Sequence, residues 1–168
     1  MIDFAALQDL AYTERLYDTR IHGLSHWRQV ESNGILLASK TRANIDVVRL
    51  FAIFHDCKRI DDAYDASHGG RGAEFAQECY RKKLFEISES DFDLLYHACC
   101  NHTTEHCCGN PTIDTCYDAD RLDLGRVGFV LNPQKMATDV GAMIAKQSLK
   151  ENVPVECMRE WLKKLQLK

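Results

Sequence analysis

The sequence predicts an all-α domain. Prolines occur only at 111, 133 and 154, so the first two thirds of the chain carry no helix breaker of that kind. Apolar residues recur at helical spacing over long stretches, while alternating β-branched runs, the mark of strands, are few.

Each element follows from its own residues. After Ser25, the positions Trp27, Val30, Ile35, Leu36 and Leu37 supply the apolar side of a helix in which Gly34 is a tolerated weak point. From about Asp46 to Cys57, the residues Val47, Val48, Leu50, Phe51, Ile53 and Phe54 make a helix apolar on nearly every side, which assigns it to the centre of a bundle. His68-Gly69-Gly70-Arg71-Gly72 reads as a Gly-rich turn before a third helix that carries Ala73, Phe75, Ala76 and Cys79 and ends in Arg81-Lys82-Lys83. Ser90-Asp91-Phe92-Asp93 caps a fourth, running through Leu94, Leu95 and Ala98 toward His102. Cys107 to Pro111 reads as a loop and Thr112 to about Leu124 as a further helix. Asn132-Pro133 opens another, and Val155 to Leu167 closes the chain as a Lys-rich amphipathic helix. No internal repeat, low-complexity tract or linker divides residues 1–168, so one domain is expected.

Composition narrows the function classes. At 168 residues with 45% hydrophobic and 27% charged content, the chain is sized for a substantial core and is not disordered or collagenous. The formal net charge is −4 and the Lys and Arg residues are scattered, so no basic field or stripe is available for a nucleic-acid backbone. No apolar run approaches the roughly 20 residues that span a bilayer. The start, Met1-Ile2-Asp3-Phe4, lacks the order of a signal peptide, and a cytoplasmic location is expected. There the eight cysteines are expected to be mostly free and buried rather than paired.

The chemistry starts at His55-Asp56, at the C-terminal end of the most hydrophobic helix. Burying an imidazole beside a carboxylate is costly unless each is paired or ligates a metal, and a divalent cation satisfies both at once. Two residues do not complete its coordination. His26, one turn after His22, and Asp120, within Asp118-Ala119-Asp120-Arg121-Leu122-Asp123, lie on the helices before and after the central one, where a bundle core would gather all four.

In order and rough spacing, His26, His55-Asp56 and Ala119-Asp120-Arg121-Leu122 resemble the HD-domain superfamily of metal-dependent phosphohydrolases, from about residue 20 to residue 130. The resemblance implies an HD-type helical bundle with a metal site in its core, ligated by His26, His55, Asp56 and Asp120. Asp118 and Asp123 are left to cap helices or support ligands, and His22 either supports the site or is satisfied by the core. Binuclear members carry extra histidines between the dipeptide and the last Asp. His68 and His102 resemble those positions, and with Asp56 bridging they would hold a second ion; otherwise His68 caps the next helix or binds substrate. The stretch from Phe54 to Ala76 is also similar to a set of small bacterial HD-domain proteins, through Lys58, Arg59, Asp61, Asp62, Asp65, His68 and Arg71.

Cations just beyond the ligand dipeptide suit phosphate oxygens. Lys58, Arg59 and Arg71 are therefore the expected substrate-binding residues, unless they pair with Asp61, Asp62 and Asp65. The expected reaction is hydrolysis of a phosphate ester or anhydride of a small molecule such as a nucleotide. In it a cation (manganese, magnesium, zinc, nickel or iron) acidifies a water, Asp56 orients that water, and Arg59 steadies the developing charge. Three alternatives use the same residues differently. HD-type di-iron oxygenases have a six-ligand pattern similar to His26, His55, Asp56, His68, His102 and Asp120. A structural zinc module would draw on Cys99, Cys100, His102, His106, Cys107, Cys108 and Cys116, although these lack the Cys-x2-Cys spacing. A degenerate HD domain would serve only in binding or signalling.

Overall fold

The computed structural model describes residues 1–165 and 167, and its regular elements there are helical. In chain order they are α1 (Phe4–Thr13), α2 (Leu24–Thr41), α3 (Ile45–Phe54), α4 (His68–Arg81), α5 (Glu89–Asn101), α6 (Pro111–Arg121), α7 (Asp139–Lys150) and α8 (Met158–Lys164), with short 3-10 turns at Leu124–Val127, Pro133–Lys135 and Val155–Cys157.

The central position goes to α3, as its composition requires. Val47, Val48, Leu50, Phe51, Ala52, Ile53 and Phe54 are all buried, and α1, α2, α4, α5 and α6 pack around them. Asn44 starts the helix, its side chain accepting from the amides of Asp46 and Val47. α6 begins with the same device: Asn110 caps Thr112 and Ile113, and Pro111 sits where its missing N–H costs nothing.

Glycines set the closest helix contacts, which revises two expectations. A Cβ at Gly34 would lie 2.3 Å from Val48 Cγ1 and 3.5 Å from Ala119 Cβ, so this residue lets α2 press against α3 and α6 rather than weakening α2. Nor is the His68–Gly72 segment a turn, for it forms the first turn of α4. Gly69 and Gly72 share one face of that helix. Their Cβ atoms would lie 2.2 Å from the Cys99 carbonyl oxygen and 2.1 Å from that of Phe54, so glycine brings α4 against the ends of α3 and α5.

Other boundaries move as well. α3 ends at Phe54, before Cys57; α5 is capped by Ser88 rather than Ser90; and Pro133 opens only a 3-10 turn, the helix beyond starting at its Thr138 cap. The expected closing helix resolves into a 3-10 turn and α8, and its Gln166 lies outside the described residues. No described helix is long and apolar enough to cross a membrane.

Candidate metal centre

Five helix ends converge on one buried cluster. His26 lies in the first turn of α2, and His68 opens α4. His55 and His102 are the C-cap residues of α3 and α5, with Asp56 directly after the former, and Asp120 sits in the last turn of α6. The four histidines and Asp56 are at most 4% exposed, whereas the Asp120 side chain is 19% exposed.

Asp56 stands between two groups of donors. On its Oδ2 side, His26 Nε2 lies at 3.4 Å and His55 Nε2 at 3.6 Å, and the two nitrogens are 3.1 Å apart. Asp120 Oδ1 completes this group, 3.3 Å from His26 Nε2 and 4.0 Å from His55 Nε2. On the Oδ1 side, His68 Nε2 lies at 3.1 Å and His102 Nε2 at 3.9 Å, with 3.0 Å between them.

What tests the fit to a cation is the other nitrogen of each ring. His55 Nδ1 donates to the Phe51 carbonyl at 3.0 Å, His102 Nδ1 to that of Cys99 at 2.9 Å, and His68 Nδ1 to that of Asp65. His26 Nδ1 donates to Asp123 Oδ2 at 2.8 Å. A neutral imidazole has one N–H, so all four Nε2 atoms turn lone pairs inward, in two facing pairs. Facing lone pairs repel unless a positive charge stands between them. Imidazole nitrogens with two carboxylates form a donor set suited to a divalent transition metal, each ring being held from behind.

Protonation tells the same story. Burial alone would lower the His26 pKa, but its bonds to Asp120, Asp123 and Asp56 outweigh burial and raise it to about 10. Burial pushes His55 down to about 3 against the opposing charges of Asp56 and Asp120, and it lowers His102 too. Burial would raise Asp56 and Asp120, yet the surrounding His groups hold both well below the carboxylate range. The cluster thus keeps both carboxylates ionised and draws a positive charge onto the His26–His55 pair.

The supporting residues divide into those the sequence suggested and those it did not. His22 turns its Nδ1 to Asp56 Oδ2 at 3.0 Å and so supports that carboxylate. Asp123 backs His26, whereas Asp118 faces away, accepting from the amides of Ala137 and Thr138 at 2.7 and 2.8 Å ahead of α7. Two arginines were missed. Arg159 Nε and Nη2 donate to the two oxygens of Asp123 at 2.7 and 2.8 Å, across a separation of 36 residues that no local pattern signals. Arg126, whose Nη2 is 3.2 Å from His22 Nδ1, stands three residues after Asp123, a spacing that was legible.

The three cations chosen from the sequence fare differently. Arg59 is buried at the cluster, its Nη1 3.4 Å from Asp56 Oδ1 and 3.3 Å from the His68 ring nitrogens, while Nη2 donates to the Ala63 carbonyl at 2.7 Å. Arg71 is committed to an ion pair with Asp65 and donates from Nε to the Lys58 carbonyl at 2.9 Å. Lys58 stacks its ammonium 3.9 Å from the Phe75 ring centre and bonds the Glu14 carbonyl, so neither group it contacts belongs to the cluster.

All eight cysteines are free. Cys57, Cys79, Cys99 and Cys116 are buried, but Cys107, Cys108 and Cys157 are exposed, so burial is less general than expected. The proposed zinc-module residues are dispersed, with Cys99 and Cys116 in the core, His102 in the cluster and His106 bonded to the Met136 carbonyl.

A cleft of 510 Å³ adjoins Asp120 and His102, walled by Thr103, Glu105, His106, Arg121 and Lys135. In fold the chain is similar to the crystal structure of a predicted HD superfamily hydrolase from an uncultured Thermotogales bacterium. The two are 25% identical, the match covers 96% of this chain and 91% of that one, and the TM-score is 0.68. No protein-family model and no curated protein matches the chain. The all-helical fold is that of the HD superfamily, and the buried His/Asp cluster fits a metal site of that superfamily.

Proposed function

We propose that this protein is a metal-dependent phosphohydrolase that cleaves a phosphate ester or anhydride of a small molecule, a nucleotide or related phosphate. One observation carries the reading. Asp56 places one oxygen against the His26, His55 and Asp120 group and the other against His68 and His102, with every Nε2 aimed inward. His26, His55, Asp56 and Asp120 would hold one divalent ion, and Asp56, His68 and His102 a second. Bound there, such ions supply positive charge that polarises a phosphoryl oxygen and makes a water more acidic.

The remaining work falls to the chain. Asp56, kept ionised by its neighbours, orients the attacking water, whose proton passes to solvent. Arg59, with Nη1 3.4 Å from Asp56 Oδ1, lies where it meets charge developing on phosphoryl oxygens. The cleft of 510 Å³ is in the range of a small-molecule site.

The same six donors suit two iron ions, so the experiment must separate hydrolysis from oxygen chemistry. Metal analysis of freshly purified protein, then phosphate release from a panel of phosphate esters with and without air, compares wild type with Asp56→Ala. Anaerobic phosphate release by wild type that is lost in Asp56→Ala supports the proposal. Oxygen consumption without phosphate release favours the oxygenase, and phosphate release retained without Asp56 overturns the centre.

A further inference from the structure

Outside the cluster, three donors of different chemistry meet where α5 faces the loop after it. His97 Nε2 lies 2.8 Å from Glu105 Oε2, and with Cys108 Sγ the donor atoms all fall within 4.8 Å of one another. Each also has an anchor of its own. His97 sits on α5. The Tyr117 hydroxyl, reaching out from the core on α6, donates to Glu105 Oε2 at 2.6 Å. The backbone at Cys108 is fixed by Asp114, whose carboxylate accepts from the amides of Cys108 and Gly109 at 2.8 and 3.0 Å.

We propose that His97, Glu105 and Cys108 form a separate binding site for a zinc-class divalent ion, distinct from the buried centre in having a sulfur ligand. Thiolate, imidazole and carboxylate are the three side-chain ligands zinc uses, and three of them leave a fourth position for water. A tetrahedral ion with bonds of about 2.0–2.3 Å spaces its donors roughly 3.3–3.8 Å apart. The His97–Glu105 pair must therefore open by about half an ångström to one ångström and Cys108 must close in, within the reach of side chains on a partly exposed surface.

The ion displaces the Cys108 thiol proton to solvent as it binds. In the structure His97 Nε2–H donates to Glu105 Oε2, so binding an ion requires the tautomer protonated at Nδ1, while Glu105 keeps the Tyr117 hydroxyl as a second anchor. Bound in this way, the ion ties α5 to the segment from Thr103 to His106, which forms one wall of the cleft. It acts as a clamp on that wall.

The buried centre offers only nitrogen and oxygen donors, so a thiolate-to-cobalt charge-transfer absorption reports the new site alone. Metal-stripped full-length protein is titrated with cobalt(II) near neutral pH, alongside four variants whose circular dichroism is checked. The band is expected in wild type, Asp56→Ala and Cys107→Ser, to be absent in Cys108→Ser, and to be bleached by zinc. His97→Ala is expected to weaken cobalt binding at this site by about tenfold or more. Absence of the band in wild type, its survival in Cys108→Ser, or its loss in Cys107→Ser overturns the proposal.

Discussion

His26 and His55 face each other through Nε2 atoms 3.1 Å apart while both Nδ1 atoms are already committed, one to Asp123 and the other to the Phe51 carbonyl. Between them the protein has built a position that only a proton or a cation can occupy without repulsion.

Removal of the ion should therefore destabilise the fold itself. An ion present at about 100 times its Kd adds about 2.7 kcal/mol to the folded state. At roughly 2–4 °C per kcal/mol for a chain of this size, chelation should lower Tm by about 5–10 °C. Thermal melts with and without a chelator measure this, and readdition of manganese or zinc should restore the loss. An unchanged Tm would mean that no ion is bound in the folded protein as purified.

Gly72→Ala sets two effects against each other. Helix propensity alone favours Ala by about 1 kcal/mol. The added Cβ would stand 2.1 Å from the Phe54 carbonyl oxygen, a backbone atom at the end of α3, and overpacking of this kind costs about 1–3 kcal/mol. Net destabilisation is expected in urea melts; stabilisation would show that α4 stands farther from α3.

Arg159→Ala tests the relay behind His26. The substitution strips both of the bonds that Arg159 makes to Asp123, which is 1% exposed, and loosens the carboxylate that orients the His26 ring. Metal affinity measured by calorimetry should fall by about 10- to 100-fold. Arg159→Lys, which keeps the charge but loses the two-pronged geometry, should fall between the two.

Thiol reagents should divide the cysteines by place. Cys107, Cys108 and Cys157 are exposed and should label in the native state, whereas Cys57, Cys99 and Cys116 should label only on unfolding. Burial pushes each of the last three thiols up, so they stay protonated through the neutral range and beyond. Mass spectrometry of the labelled chain reads the division directly.

Much of this was legible because composition and position agreed. The apolar surround of α3 placed it at the centre, and a His-Asp dipeptide at its end demanded partners, which chain order then suggested in His26 and Asp120. α1 went unread although Asp3 caps it by accepting from the Ala6 amide, because a ten-residue helix with two buried residues gives a thin apolar stripe. The Gly-rich start of α4 was misread, since local chemistry favours a turn and only the close approach of Phe54 and Cys99 explains a helix there. Asn132-Pro133 and Thr138 carry similar start signals, and packing decides which begins the longer helix. Arg159 looks like an ordinary surface charge in sequence; its role exists only through contact with Asp123, 36 residues away.

The backward tethers of the four histidines bear on how an ion is received. Each ring is fixed through Nδ1 to a carbonyl or carboxylate, so its rotamer freedom is surrendered when the chain folds and not when the ion arrives. Ion capture then orders little of the protein, and ions of equal charge are sorted by radius and preferred geometry against a nearly rigid frame. Discrimination among metals becomes a property of the helix packing, set many residues away from any atom the ion touches.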